Sequence, residues 1–559
     1  MSSFYNKAEN YLNNDKNFNK LIFFIVVFLC IVKLPNLVSS DIQPWDEGMY
    51  ATRVLSIHLN GDFFDQSSHS VGLFYSGSHP PLLIWIGYIS TLLFGINSFA
   101  LKIIPFLFSL SCIVIIMLLA KKLFDPVTAL FSAMIFSSNI IFNVFSKRFQ
   151  FDYPYTFFIL LSFYAIILFN DNREFKYLII SGISFGCCLM VKILVGFYIP
   201  LILFISWYFL RGRINLKFKD ILFLSMTGII MALPWHVYML SKYGAEFTDY
   251  FFKFHIYDRA IHGVEMNEKN SGALYHINYL MTIIPYSVIV FFAMIKDAYN
   301  YKSIKPRKLF LWIWFVTGMI ILAVFKTKLE VYILLILTPG CILTAEYILN
   351  INNENRMLKS LITAALLFNI FWFATESIRP EIKDYFIHAN ITFELILIIF
   401  VTGISLFIIR HFADKIELKQ TLYFFILIFF FGINFYYLFR IPFWENYFHI
   451  TDVKDLIDKS GRKKIVYVAT NYRHNPQFSF YFNGLDLGWK NNKYELTMLD
   501  IKDGTESVKE KLKLLPPHDY EIIVEKEGIN RAVYKESDLF IPEEFKLKKN
   551  SPGYELYEN

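Results

Sequence analysis

The sequence predicts a polytopic α-helical membrane protein that carries a small α/β domain at its C-terminal end. Of its 559 residues, 55% are hydrophobic, with 61 Phe and 35 Tyr, and the mean hydropathy is +0.42. A soluble fold does not carry so much apolar surface. Apolar runs close to the spanning length of roughly 20 residues recur through the first part of the chain, whereas residues 445–559 are polar and charged.

The formal net charge of +7 does not indicate a nucleic-acid partner. Lys and Arg lie mainly in short loops between the apolar runs, where orientation relative to a membrane explains them. The partner that this pattern indicates is the lipid bilayer.

Fourteen apolar segments can be counted, and their charged flanks predict a topology. The segments are 21–38, 81–97, 100–121, 127–145, 153–170, 176–191, 193–210, 220–240, 277–295, 308–325, 330–350, 358–376, 391–410 and 420–440. Segment 81–97 is short and begins at a proline pair. If it lies on the outer surface, all strongly basic loops fall on the same side as the basic N-terminus. We therefore predict thirteen spans, with the N-terminus inside and the C-terminus outside.

This topology divides the chain into a transmembrane domain, residues 1–441, and an outer domain, residues 442–559. Outer loops fall at 39–99, where we expect surface helices, and at 241–276. In the C-terminal part, KIVYVAT, YEIIVEK and RAVYK are typical of short strands, and DVKDLIDKSG of a helix. No catalytic motif was found there.

The acidic pair Asp46 and Glu47 directly follows the first apolar run, in QPWDEGMYA. Carboxylates at the edge of a bilayer are costly to hold there, so they are candidates for a functional site. For Glu47, capping of a surface helix is the alternative.

Other unusual polar residues join this pair on the predicted outer face. The candidates are Asp46, Glu47, His79, Arg148, Asp152, Lys192, His255, Arg259, Lys328 and Tyr332. Lys192 is the only charge between two apolar runs and, alone, could be an interfacial anchor. Together with the other bases and acids, it predicts a phosphate-binding site. Packing against Phe residues is the alternative for His255, and anchoring of a helix end is the alternative for Arg148.

Six blocks of sequence, in order, carry a resemblance to a known family. They are WDEGMYA at 45–51, HPPLLIW at 79–85, RFQFDYPYTFF at 148–158, KILVG at 192–196, PWHVYM at 234–239 with FFKFHIYDR at 251–259, and KTKLEVYILLILTP at 326–339. In these blocks the chain resembles the GT-C glycosyltransferases that use polyprenyl-phosphate sugars, in the branch of the 4-amino-4-deoxy-L-arabinose lipid A transferases and the protein O-mannosyltransferases. His79 stands where the lipid A transferases usually have Lys, as in the mannosyltransferases.

The resemblance implies a GT-C fold and roles for the candidate residues. Fixed cations stabilise the leaving lipid phosphate, with Lys192, Arg259 and Lys328 as candidates. The remaining donor-site candidates are His79, His255, Tyr332 and Arg148. Asp46 is the candidate base for a hydroxyl acceptor, and Glu47 and Asp152 position it or the sugar.

The resemblance also implies an activity. The chain is expected to transfer a sugar, an amino sugar by preference, from polyprenyl phosphate to lipid A or another envelope glycolipid on the periplasmic face of a bacterial inner membrane. Glycosylation of a protein hydroxyl is the alternative. A transporter is disfavoured because we find no internal repeat and no acids in the interiors of the spans. The chain contains no Asp-x-Asp pair for a nucleotide sugar. We expect a monomer, and a divalent metal ion stays open as a cofactor.

Overall fold

The computed structural model describes most of the first 351 residues and many of the later helices and strands. The described ranges are 2–263, 272–284, 286–351, 361–370, 418–445, 450–460, 464–469, 476–482, 495–500, 505–514, 520–525, 541, 545–551 and 554–558. The predicted span 391–410 and the predicted strand in RAVYK lie outside these ranges.

Helices make up nearly all of the described residues up to Ser460. They are α1 (Ser2–Asn13), α2 (Asp15–Ser39), α3 (Asp46–Asn60), α4 (Phe74–Gly77), α5 (Leu82–Phe94), α6 (Ser98–Leu123), α7 (Pro126–Ser137), α8 (Ile140–Phe145), α9 (Asp152–Asn172), α10 (Phe175–Val191), α11 (Ile193–Gly196), α12 (Tyr198–Leu210), α13 (Phe218–Tyr243), α14 (Ala245–Thr248), α15 (Arg259–Ile261), α16 (Tyr275–Ile283), α17 (Val288–Tyr299), α18 (Pro306–Val324), α19 (Leu334–Leu349), α20 (Leu361–Ile370), α21 (Leu418–Glu445) and α22 (Thr451–Ser460). The described residues of this part also contain a π-helix at Asp249–Asp258 and 3₁₀ turns at Ser67–His69, Tyr301–Ser303 and Glu330–Ile333.

In the described ranges, eight helices are long and apolar enough to cross a membrane. They are α2, α6, α9, α13, α18, α11 joined to α12, α19 with its preceding 3₁₀ turn, and residues Leu418–Leu438 of α21. A ninth could be formed by α16 and α17, which are bent by 118°. The predicted polytopic helical fold is therefore confirmed, while the count of thirteen spans stays a prediction. Helix α5 has 13 residues, too few to cross, since spanning takes roughly 20.

Polar residues in the short loops set the ends of the long helices. Asn97 caps α6 by accepting a hydrogen bond from the N–H of Ala100 (2.9 Å). Asp125 accepts from the N–H groups of Val127 and Thr128 (both 2.8 Å) and so starts α7. Such caps satisfy N–H groups that have no partner within the helix.

Small residues let α10 pack closely against α13. A Cβ atom on Gly228 would lie 2.3 Å from the Phe185 ring and 2.9 Å from the backbone N of Gly186. Small residues at such contacts are typical of helix pairs in membranes. Helix α10 also packs on α9, and α9 on α6, so these helices form a continuous core.

The C-terminal part contains a five-stranded mixed sheet. Its strands are β1 (Lys464–Ala469), β2 (Glu495–Asp500), β3 (Tyr520–Glu525), β4 (Lys546–Ser551) and β5 (Tyr554–Glu558), in the order β2-β1-β3-β5-β4. Strand β1 runs parallel to β2 and β3, and β5 runs antiparallel to β3 and β4. Helices α23 (Gln477–Phe482) and α24 (Thr505–Lys513) lie in the connections. The predicted strands in KIVYVAT and YEIIVEK and the helix in DVKDLIDKSG are confirmed as β1, β3 and α22.

Candidate functional site

A cavity of about 280 Å³ lies among α11, α12, α18 and the π-helix. Most of its wall is apolar, formed by Ile193, Leu194, Val195, Phe197, Leu201, Phe251, Ile256, Ile321, Leu322, Phe325 and Leu335. The polar lining residues are His79, Tyr155, Lys192, Tyr198, His255, Arg259, Thr327 and Tyr332. Five of these eight are candidates from the sequence, and they come from four separate parts of the chain. The fold therefore brings together most of the predicted phosphate-binding residues.

Lys192 reaches the cavity because the helix breaks at this residue. Its backbone is extended (φ −155°, ψ 102°) between α10 and α11, although its N–H still donates to the Cys188 carbonyl (2.8 Å). The ammonium lies 4.9 Å from the centre of the Tyr332 ring, within the range of a cation–π contact. A positive charge is thereby held at the cavity wall.

Arg259 is positioned by the π-helix and by the loop that follows α18. π-helical turns are rare and often occur at functional sites. The Arg259 carbonyl accepts hydrogen bonds from the N–H (3.0 Å) and the hydroxyl (2.7 Å) of Thr327. The N–H of Lys326 donates to the Ala260 carbonyl (2.9 Å). These bonds join two segments that both line the cavity.

His79 and His255 lie against each other in the polar lining, with ring centres 4.3 Å apart. Burial holds the pKa of His79 well below its usual range, and His255, Arg259 and Lys192 add to this effect. Burial also holds the pKa of His255 well below its usual range, and the positive charges of Arg259 and Lys192 add to this effect. Both imidazoles are therefore neutral near pH 7, and an anion bound beside them would raise both pKa values.

One face of α3 connects Asp46 to the loop that carries His79. Asp46, Tyr50 and Arg53 share this face because their spacing is that of successive helical turns. Asp46 is exposed, whereas Tyr50 and Arg53 are buried. The Arg53 guanidinium donates to the carbonyls of Ser76 (3.0 Å) and His79 (2.8 Å). Helix α3 thus holds the loop that presents the His79 side chain.

Tyr50 lies within electrostatic reach of both candidate acids, and its ring centre is 6.2 Å from that of His79. Burial raises the pKa of Tyr50 well above its usual value; the negative charges of Asp46 and Asp152 add to the rise, and Arg259 opposes it. Asp152, at the start of α9, is buried and lies within electrostatic reach of both Lys192 and Asp46. The two carboxylates and the two cations are therefore parts of one electrostatic site.

The backbone just before Asp46 is strained. Trp45 has φ 65° and ψ −132°, and α3 begins directly after it without a side-chain cap from Trp45. A residue with a Cβ atom in such a region costs about 1–3 kcal/mol and persists only where its surroundings hold it. The strain is located where the candidate base is presented.

Glu47 is not among the cavity-lining residues; it is fully buried in a different network. One carboxylate oxygen accepts from the N–H of Gln43 and the other from the N–H of Phe149 (both 2.8 Å). The ammonium of Lys102, also fully buried, lies 3.6 Å away and donates to the Ser40 hydroxyl (3.0 Å). Glu47 therefore links α3 and α6 to the segment that leads to α9. This geometry favours a positioning role over direct contact with a substrate.

Two other candidates also lie outside the cavity lining. The Lys328 ammonium donates to the carbonyls of Leu322 and Ala323 (the latter at 3.0 Å), so it caps the end of α18. Burial, with the nearby positive charge of Lys326, lowers the pKa of Lys328. The Arg148 guanidinium lies 5.1 Å from the centre of the Phe145 ring. The structure therefore gives no support to a direct phosphate contact by Lys328 or Arg148.

Sequence reasoning missed several residues of this site. Tyr50 and Arg53 were detectable, because they follow Asp46 at helical spacing. Lys102 was also detectable, because it is a charge within an apolar segment, which itself marks a candidate. Tyr155 and Thr327 gave no comparable signal, since neutral hydroxyl groups are common in helices and loops of every kind.

A metal ligand set is not evident in the part of the chain that the structure describes. Within those ranges, no three His, Cys, Asp or Glu side chains are grouped so that they could hold a metal ion. A divalent metal ion therefore stays open as a cofactor.

The sequence is similar to those of known glycosyltransferases. Residues 78–238 match the family described as dolichyl-phosphate-mannose-protein mannosyltransferase. The chain is 27% identical over 356 residues to the undecaprenyl phosphate-α-4-amino-4-deoxy-L-arabinose arabinosyl transferase of Wigglesworthia glossinidia brevipalpis, covering 62% of each chain. It is 26% identical over 309 residues to the first such transferase of Pseudomonas fluorescens, covering 53% of this chain and 54% of the relative. The match to these relatives spans less than two thirds of their length.

Comparison with solved structures shows the fold. The crystal structure of ArnT from Cupriavidus metallidurans bound to undecaprenyl phosphate superposes with a TM-score of 0.65 at 14% identity, covering 96% of this chain and 97% of ArnT. The same protein in its apo state gives a TM-score of 0.63. The predicted resemblance to polyprenyl-phosphate-sugar glycosyltransferases and the GT-C architecture are thereby confirmed.

Proposed function

We propose that this chain is a membrane-bound glycosyltransferase, which transfers a sugar from a polyprenyl-phosphate carrier to lipid A or another envelope glycolipid. The observation that carries the proposal is the cavity of about 280 Å³, whose apolar wall meets Lys192, Arg259 and the two histidines. An apolar wall suits a prenyl chain, and fixed cations suit the phosphate at its end. The relatives with named activities use undecaprenyl-phosphate donors.

In this proposal the cavity holds the donor and stabilises its departure. The bond between the anomeric carbon and a phosphate oxygen breaks, and the phosphate leaves with the electron pair and a second negative charge. Lys192 and Arg259 counter this charge as it develops, because fixed cations in a largely apolar site need no reorganisation during the reaction. Tyr332 and the histidine pair supply further hydrogen-bonding groups beside the same lining.

Asp46 is the proposed base on the acceptor side. It is the exposed carboxylate of the α3 face, and an acceptor can reach it while the buried Asp152 stays near Lys192. If the acceptor is a hydroxyl, its oxygen attacks the anomeric carbon and its proton passes to Asp46. If the acceptor is a phosphate oxygen of lipid A, no base is needed, and Asp46 orients the acceptor or a cationic amine on the sugar.

The membrane arrangement follows from the same proposal. The sites at Asp46 and Lys192 face the periplasm of a bacterial inner membrane, and the N-terminus lies in the cytoplasm. The helical part, residues 1–441, carries the chemistry, and residues 442–559 form a separate periplasmic domain. The enzyme acts as a monomer.

The second candidate function is transfer of a sugar to a protein hydroxyl. The match of residues 78–238 to the protein mannosyltransferase family favours it, and His79 lies within that match. The donor chemistry is the same for both acceptors, so the cavity itself does not discriminate between them.

The test is sugar transfer by the purified protein in lipid nanodiscs, with undecaprenyl-phosphate 4-amino-4-deoxy-L-arabinose as donor. Lipid A and a hydroxyl-bearing peptide are offered separately, and the products are identified by mass spectrometry. A hydroxyl acceptor predicts that Asp46→Asn lowers turnover by about 10²- to 10⁴-fold. Asp249→Asn, which alters an exposed carboxylate outside the cavity lining, serves as the matched control.

The outcomes separate the alternatives. Product on lipid A supports the leading proposal, and product on the peptide alone supports the second. A wild-type protein that transfers nothing to either acceptor and does not bind undecaprenyl phosphate contradicts the glycosyltransferase proposal.

A further inference from the structure

The C-terminal α/β part contacts the chain immediately before Asp46. The backbone N–H and the hydroxyl of Thr451, at the start of α22, both donate to the Asp41 carboxylate, the first of these at 3.1 Å. The N–H of Ile42 donates to the Tyr481 hydroxyl in α23 (2.8 Å). Asp41 and Ile42 are both buried. The segment that leads to the candidate base is therefore attached to the C-terminal part.

The C-terminal part also contacts the chain immediately after Asp46. A Cβ atom on Gly48 would lie 2.5 Å from the backbone N of Gln477 and 2.8 Å from the Pro476 ring, so the two backbones touch. One turn later, the Thr52 hydroxyl faces the Pro476 carbonyl at 3.2 Å. Helix α23 thus packs directly on the first two turns of α3.

Between these two sets of contacts lies the strained residue Trp45, with φ 65°. A backbone in this region relaxes unless both of its flanks are held. On its C-terminal side, Glu47 fixes α3 to α6 and to the N–H of Phe149. The contacts at Ile42 and Gly48 restrict the backbone on both sides of Trp45. Both contacts are made by the C-terminal part.

We infer that the segment 476–481 is a positioning element of the active site, which holds Trp45 and Asp46 in the geometry that transfer requires. The inference rests on the proposed function and adds to it a role for the C-terminal part. Gln477 and Tyr481 act through Asp46 rather than on the substrate. The donor cavity does not include any of these residues, so donor binding and base positioning are separable.

The first test replaces the glycine at the contact. Gly48→Ala places a methyl group against the Gln477 backbone, while alanine is the better helix former, so α3 itself is not weakened. Gly432→Ala is the matched control, because a Cβ atom there meets nothing within 4 Å. We expect Gly48→Ala to lower kcat by about 10- to 100-fold, the scale on which small misplacements of reacting groups act. The Kd for undecaprenyl phosphate should stay within about twofold, since the cavity is unchanged.

A milder variant and a second readout guard against simple misfolding. Tyr481→Phe removes the acceptor of the Ile42 N–H and should lower kcat by about 3- to 10-fold. Hydrogen exchange of residues 41–52, followed by mass spectrometry, should accelerate in both variants but not in Gly432→Ala. This readout does not depend on activity, so it tests the contact even if the wild type proves to transfer no sugar.

Three outcomes would overturn the inference. They are an unchanged kcat in Gly48→Ala, unchanged hydrogen exchange of residues 41–52, and an equal loss of undecaprenyl phosphate binding in both variants. A selective loss of kcat with faster exchange supports it.

Discussion

The Glu47 network and the Lys192 cavity hold charged side chains in opposite ways. Glu47 and Lys102 are both fully buried and only 3.6 Å apart, and backbone N–H groups complete the carboxylate's hydrogen bonds. Lys192 and Arg259 instead face a cavity of about 280 Å³. Charge that is matched inside the protein stabilises a geometry, whereas charge directed into a cavity can act on a ligand. The two regions therefore have different tasks: Glu47 positions the backbone around α3, and Lys192 and Arg259 can act on a ligand.

The largest expected effect comes from breaking the Glu47 network. Glu47→Ala leaves the Lys102 ammonium buried without its carboxylate and should lower the free energy of unfolding by about 3–5 kcal/mol. Thermal unfolding in detergent measures it. The double variant Glu47→Gln/Lys102→Met is the control and should recover much of the loss, because it removes both charges. A wild-type melting temperature for Glu47→Ala would contradict the network's structural role.

The next effect comes from the cavity and should appear in kinetics instead of stability. Lys192→Ala should lower kcat/KM by about 10²- to 10³-fold, the typical loss for one fixed charge-stabilising donor. The melting temperature should stay close to that of the wild type. Lys219→Ala, at an exposed lysine in the first turn of α13, is the matched control. Equal losses in both variants would mean that overall charge matters and not the cavity.

Acidification should lower the free energy of unfolding through the two histidines of the cavity. The folded chain holds the pKa values of His79 and His255 below the unfolded value, so unfolded chains bind more protons below about pH 6.5. Stability should therefore fall as the pH drops through that value, by up to about 1.4 kcal/mol per pH unit for each histidine. Undecaprenyl phosphate should reduce the fall, because its anion favours the protonated imidazoles.

Melting temperatures between pH 5 and 8, with and without the lipid phosphate, measure this dependence. The double variant His79→Asn/His255→Asn should flatten it. A slope that persists unchanged in this variant would place the responsible groups elsewhere.

The smallest effect is expected at Lys328, which the sequence pointed to as a phosphate ligand. Because its ammonium caps α18 through the Leu322 and Ala323 carbonyls, Lys328→Met should change the Kd for undecaprenyl phosphate by less than about twofold. Isothermal titration with the lipid phosphate measures it, with Lys192→Ala as the positive control. A loss as large as that of Lys192→Ala would restore the sequence-based assignment.

Much of this molecule was predictable because apolar length and charge placement are local properties. Runs such as 100–121 and 308–325 are long and apolar enough to require a membrane, and helices α6 and α18 occupy them. Short apolar runs rich in Val, Ile and Tyr were enough to locate β1 and β3. Five of the cavity's polar residues were found from their chemistry on one predicted face, without knowledge of the fold.

What the sequence determined by itself was the membrane class, most long helices, two strands of the small sheet and the charged residues worth attention. The tertiary structure alone decided which of those charges meet. Asp46 and Glu47 are adjacent in the chain, yet successive residues of a helix point about 100° apart, and only packing decides which direction is buried. In the same way, Lys328 and Lys192 look alike in sequence, but one meets backbone carbonyls and the other a cavity. The side-chain direction depends on neighbours that are distant along the chain, and no local pattern contains them.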